Sequence, residues 1–87
     1  MPFSWDFDAW ADYEYWQAQD KKTLRRINAL LKDIARTGGS GIGKGELLRH
    51  SEEGLRSVRI DAKNRLTYKV DGDTVNIVSC RGHYRDK

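Results

Sequence analysis

Cysteine and proline are scarce in this chain, long apolar runs are missing, and each shortage removes a class of protein. One cysteine among 87 residues, Cys80, cannot form an internal disulfide and leaves no thiolate cluster for a zinc site. The two histidines, His50 and His83, stand far apart in sequence and do not replace such a cluster. The composition predicts a chain without metal or other cofactor, suited to a reducing cytoplasm. The single proline, Pro2, confines an N-terminal strand to a sheet edge or to its own first residues. No apolar stretch approaches the roughly 20 residues of a membrane span, so no membrane role is expected. The first twenty residues hold no base, the wrong sign for a secretory or transit signal. There are no repeats and no low-complexity segment.

Charge is what the chain has in quantity. A third of its residues are charged, with a net of +3. The charge is polarised along the sequence. Asp6, Asp8, Asp12, Glu14 and Asp20 stand alone in the first twenty residues, whereas six bases face the single acid Asp33 between Lys21 and Arg36. A basic surface of this kind suits a nucleic acid or an acidic protein partner, and equally a solvated helix face. A chain of 87 residues buries enough surface for one thin core, so residues 1–87 read as a single domain.

Periodicity divides that domain in two. From Asp6, Trp10, Tyr13, Trp16 and Gln17 recur at helical spacing, with Asp6 and Asp8 at the positive end of the helix dipole. Asp20 then caps a second helix. Its apolar stripe is Leu24, Ile27, Leu30, Leu31 and Ile34, and its opposite face carries Lys22, Arg25, Arg26, Lys32 and Arg36. The glycines of TGGSG end it. The three tryptophans read as core and interface anchors rather than a base-stacking platform.

Beyond residue 41 the period becomes two. Val58 and Ile60, then Leu66, Tyr68 and Val70, then Val75 and Ile77 mark three strands of an antiparallel meander. A two-residue Gly72-Asp73 loop sets Asp71 against Thr74 and Val70 against Val75. An odd loop or bulge around Asp61–Asn64 sets Val58 against Leu66, which brings Arg59 and Arg65 out together on an exposed, polar and basic face. Continuing the second hairpin in register places Cys80 opposite Arg65, and His83 and Tyr84 near the same end. The expected architecture is two-layer α+β, two N-terminal helices packed on a small antiparallel sheet.

Ahead of the strands, GKGELLRH brings Lys44, Glu46, Arg49 and His50 on a glycine-bearing stretch. An acid, a histidine and several arginines suffice to cleave RNA. The carboxylate takes the ribose 2′-hydroxyl proton, the imidazolium protonates the departing 5′-oxygen, and guanidinium groups hold the phosphate. A passive RNA-binding or protein-binding module fits the same residues, because surface glutamates and terminal histidines are most often merely solvated.

Four segments sharpen the choice. AWADYEYWQAQDKKTLRRINALLKDIART, GKGELLRH, RIDAKNRLTYKV and CRGHY, in order and spacing from Trp5 to Tyr84, resemble the YoeB/Txe toxins of the RelE superfamily. The resemblance implies a RelE-like ribonuclease toxin fold and a toxin of a type II toxin–antitoxin pair. It implies a ribosome-dependent endoribonuclease that cleaves messenger RNA in the A site of the 70S ribosome. A YefM-like antitoxin is the implied partner, and a homodimer a further one. On the matching positions Glu46 would be the general base, His83 the general acid and Arg65 the transition-state arginine. Arg59 and Tyr84 would contact phosphate or RNA, as would Arg49, which stands where these toxins often have lysine. A GFWSRR-like stretch of the family reads GLRSVR here: Gly54, Ser57 and Arg59 match, while Arg56 and Val58 depart, which bears on RNA contacts upstream of Arg59. A ParE-like gyrase inhibitor or a non-catalytic binder on the same fold are the alternatives.

Overall fold

The computed structural model describes residues 2–37, the backbone course of 46–47, and residues 54–82. A short strand β1 (Phe3–Trp5) leads into helices α1 (Phe7–Gln19) and α2 (Lys21–Thr37), followed by β2 (Glu46–Leu47), β3 (Arg56–Arg59), β4 (Arg65–Asp71) and β5 (Thr74–Ser79). The sheet order is β1-β5-β4-β3-β2. No helix among the described residues is long and apolar enough to cross a membrane.

The two helices are separated by one residue with two tasks. Asp20 is extended, at φ −156°, which ends α1. Its carboxylate then accepts from the N–H groups of Lys22 and Thr23 at 3.1 and 3.2 Å and from the Thr23 hydroxyl at 2.8 Å, capping α2. The Thr23 hydroxyl bond foremost, with the backbone bonds behind it, holds the Asp20 carboxyl below its ordinary 3.8. A group with a lowered folded pKa adds stability above its unfolded pKa and loses it as pH falls through the folded value. Asp20→Ala should therefore lower the thermal midpoint at pH 7, and the gap from the parent chain should close as pH drops below about 3.8. Thermal melts across that range check it; a gap independent of pH would assign the effect to helix propensity alone.

The expected stripe of α2 is buried at Ile27, Leu30, Leu31 and Ile34 and half-buried at Leu24, while Lys22, Arg25, Arg26, Lys32 and Arg36 are exposed. Asp33 is buried as well, a position the apolar pattern leaves polar. Its carboxylate accepts from Arg36 at 3.0 Å, so the charge is paired where it leaves water. Helix α1 is tied to β5 at both ends. Asp6 donates its N–H to the Ile77 carbonyl at 2.9 Å, and the Trp16 indole donates to the Cys80 carbonyl at 2.8 Å. Trp16 is a core anchor, as expected of a tryptophan here. Trp5 and Trp10 form an edge-to-face pair at 5.5 Å nearer the surface, and Trp10 is 46 % exposed.

The sheet differs from expectation in two respects. It is mixed, because β1 pairs parallel to β5, Phe3 beside Val75 and Trp5 beside Ile77. The helices and the whole meander separate these two strands, so no hairpin obliges them to run opposite ways. Pro2 is compatible with this edge, and its carbonyl accepts the Val75 N–H at 2.9 Å. The second difference lies in β5. Val70 stands opposite Val75 and Asp71 opposite Thr74 as expected, yet a register shift follows, and Thr67 stands opposite Ser79. The extra residue of this bulge turns Cys80 inward. Cys80 is therefore fully buried, with Sγ 3.8 Å from the Ala9 carbonyl, and does not lie opposite Arg65 on the outer face.

Candidate functional site

The β3–β4 hairpin builds the site. Asp61 begins its turn, and Oδ1 accepts from the backbone N–H groups of Lys63 and Asn64, each at 2.8 Å. Backbone N–H groups of Ile60 and Asp61 both donate to the Asn64 carbonyl, at 3.0 and 3.2 Å. Burial opposes the charge on Asp61, but the bonds from Lys63 and Asn64 outweigh it and hold the carboxyl below the usual carboxylate range. This turn supplies the odd connection that the alternation requires. Val58 faces Leu66 in the core, and Arg59 faces Arg65 on the other side of the sheet.

Two guanidinium groups on opposed residues repel one another, since like charges directly across a ladder are destabilising. Among the described residues neither has a carboxylate within ion-pair distance; the Asp33–Arg36 pair lies on α2. Each is instead anchored through a neutral oxygen. Arg65 Nε donates to Ser57 Oγ at 2.7 Å, and Arg59 Nε donates to the Asp61 carbonyl at 3.3 Å. Among the described residues these neutral anchors leave both positive charges without a compensating carboxylate, and the terminal nitrogens make no further bonds. An anion placed against the pair would relieve the repulsion and gain charge-assisted hydrogen bonds at once. Arg59 is exposed and Arg65 half-buried, so the pair is within reach of a bulky ligand.

The outer face is less open than the alternation predicts. Ser57, Thr67 and Ser79 form a cross-strand row in which Ser57 faces Thr67 and Thr67 faces Ser79, and all three are buried. The Arg65 side chain leans across Ser57 to reach its hydroxyl, turning a serine on the outer face into a support. Thr67 Oγ1 and Ser79 Oγ are buried without a hydrogen-bond partner among the described residues.

Two described segments flank this row, the backbone of Glu46 and the chain at Gly82. Glu46 in β2 is the register partner of Ser57, so its backbone stands one strand away from the residue that anchors Arg65. At the other side Gly82 is bonded to the start of β4. Arg65 N–H donates to the Gly82 carbonyl at 3.0 Å, and Gly82 N–H donates to Asn64 Oδ1 at 2.8 Å. The side chain of Glu46 lies outside the described residues, as do Lys44, Arg49, His50, His83 and Tyr84. The structure thus brings together Arg59, Arg65 and the backbone of Glu46, and carries the chain to the residue before His83. Among the described residues no three His, Cys, Asp or Glu side chains are grouped as a metal would need.

Sequence reasoning missed Ser57 as a member of this site. Its parity with Arg59 and its place across from Thr67 were legible, but a small hydroxyl on a solvent-facing strand gives no sign that an arginine will lean on it. Arg81, beside Gly82, is engaged elsewhere: its guanidinium sits 3.7 Å from the centroid of the Tyr15 ring.

Comparison with known proteins agrees with this layout. Residues 5–84 match the model of the family described as YoeB-like toxin of bacterial type II toxin–antitoxin system. The toxin YoeB of Escherichia coli K12 is 44 % identical over 84 residues, covering 97 % of this chain and all of that one. The structure of a YoeB dimer from Staphylococcus aureus superposes with a TM-score of 0.88 at 42 % identity, covering 97 % of this chain and 98 % of that one. A YoeB–YefM complex from the same organism gives 0.86 at 41 % identity, with the same coverage. Family model, full-length identity and fold all point the same way: this chain belongs to the YoeB-like toxins of bacterial type II toxin–antitoxin systems.

Proposed function

We propose that this toxin is a ribosome-dependent endoribonuclease that cuts messenger RNA in the A site and so stops translation. The observation that carries this reading is the Arg59–Arg65 register pair, two guanidinium groups anchored through neutral oxygens and without a carboxylate partner among the described residues. Such a pair fits the two non-bridging oxygens of one phosphodiester. Glu46, entering from β2, is the base that removes the proton from the ribose 2′-hydroxyl. The 2′-oxygen then attacks phosphorus, and the bond from phosphorus to the 5′-oxygen breaks. His83, following Gly82, supplies the proton that the 5′-oxygen needs to leave. The products are a 2′,3′-cyclic phosphate and a 5′-hydroxyl. Charge on the five-coordinate phosphorane is greatest at the non-bridging oxygens, where Arg65 and Arg59 stabilise the transition state more than the ground state. Tyr84 and Arg49 bind the RNA around the cut.

Every proton in this scheme moves between side chains and substrate. Cleavage should therefore need no added divalent ion beyond what keeps the ribosome assembled. The slow cut in ribosome-free RNA is expected to persist in excess chelator. Loss of that cut with chelator, restored by one particular divalent ion, would contradict the scheme.

In the cytoplasm a YefM-like antitoxin is the natural silencer, by laying an acidic segment over Arg59 and Arg65. The exposed aromatic side chains Phe7, Trp10 and Tyr15 of α1 are the surface offered to a second copy or to that antitoxin. Primer extension on a message translated with the purified toxin tests the reading. New ends inside codons, abolished by antitoxin, are expected. Intact RNA with altered DNA supercoiling would mean a gyrase inhibitor instead, and intact RNA with normal supercoiling a passive binder.

A further inference from the structure

Asn64 stands one residue before Arg65 in sequence and, through Gly82, one bond away from the chain that leads to His83. Gly82 is held on both sides by two consecutive residues: its N–H by Asn64 Oδ1 at 2.8 Å, its carbonyl by Arg65 N–H at 3.0 Å. Its φ is +72°, the left-handed region where glycine is at ease and other residues are strained. The Asn64 amide has a single workable orientation. Nδ2 donates to both carboxylate oxygens of Asp61, at 3.0 and 3.1 Å, while Oδ1 accepts from Gly82. Turned over, it would set oxygen against carboxylate and N–H against N–H. Asp61 is fixed in its turn by the N–H groups of Lys63 and Asn64. A continuous line of hydrogen bonds thus runs from the hairpin turn through Asn64 to Gly82, the residue before His83.

We propose that Asn64 is a positioning residue, which sets the exit of the chain at Gly82 and so the reach of His83 to a phosphate held by Arg65. It touches no substrate and acts through the Gly82 backbone. The inference rests on His83 being the general acid. Misplacing a reacting group by about 1 Å costs on the order of a hundredfold in rate, so a single clamp at this junction has a measurable effect.

The test is single-turnover cleavage on programmed 70S ribosomes, using message with an ordinary 5′-oxygen at the scissile bond and message with sulfur in that place. Asn64→Ala should cut the oxygen-linked message roughly ten to a hundred times more slowly than the parent. On the sulfur-linked message the defect should largely vanish, because a thiolate leaves without an acid. Adding Asn64→Ala to His83→Ala should slow the oxygen-linked cut no further. Gly82→Ala, which strains the same junction from the other side, should show the same pattern and serves if Asn64→Ala does not fold. Equal defects on both substrates, or a full additional loss in the His83→Ala background, would overturn the positioning role. Parental cleavage by both Asn64→Ala and Gly82→Ala, with His83→Ala inactive, would overturn it while leaving the acid in place. Parental cleavage by His83→Ala would overturn the acid assignment and this inference together.

Discussion

Arg65→Ala should fold, bind antitoxin, and cleave message about a hundred to a thousand times more slowly than the parent chain. The magnitude is that of removing one donor aimed at charge developing in a transition state. Folding is spared for two reasons. The backbone bond from residue 65 to the Gly82 carbonyl survives the substitution, and loss of one guanidinium relieves the repulsion across the Arg59–Arg65 pair. That relief is offset by loss of the bond to the buried Ser57 hydroxyl, so the thermal midpoint should change little. Arg65→Lys separates charge from geometry. A lysine ammonium is a compact point charge, which serves either the Ser57 hydroxyl or the phosphate but does not span both as the planar fork does. It should recover only a small part of the lost rate. Single-turnover cleavage with a thermal melt of each variant checks this; parental activity in the lysine variant would reduce Arg65 to a general attraction for RNA.

His83→Ala carries the second large effect. General acid help is worth typically about 10²–10⁴-fold, and loss of most cleavage and growth inhibition is expected. Stability and antitoxin binding should be unchanged, because His83 lies outside the apolar alternation that fills the core. His50→Ala should lose little. On message with sulfur at the scissile 5′-position the His83→Ala variant should be largely rescued. Equal defects on both substrates would make His83 a binding residue instead.

Elements with long, regular patterns were legible before the structure. The stripe of α2, the Gly72-Asp73 hairpin and the pairing of Arg59 with Arg65 all follow from periodicity and turn chemistry, where one face must be dry and the register has no freedom. What escaped has identifiable causes. Val75 to Cys80 reads as strict alternation, but Val78 follows Ile77 with no polar residue between, and that local break is where the register shifts. Strand β2 spans two residues, too few for any period to register. Asp33 is buried because Arg36, one helical turn on, pairs with it, and a sequence does not announce which charges will be paired. Ser57 stood out only as a matching position of the GLRSVR stretch, and its bond to Arg65 depends on a rotamer, which no pattern of polarity encodes.

The chemistry of the cut ends offers the most direct measurement. Message held in a ribosome with a defined A-site codon should be cut within that codon on addition of the purified toxin. The upstream fragment should end in a 2′,3′-cyclic phosphate and the downstream fragment begin with a 5′-hydroxyl, with far slower cleavage in RNA free of ribosomes. A 3′-hydroxyl and 5′-phosphate at the break, or equally fast cleavage of free RNA, would contradict ribosome-dependent attack by the 2′-hydroxyl.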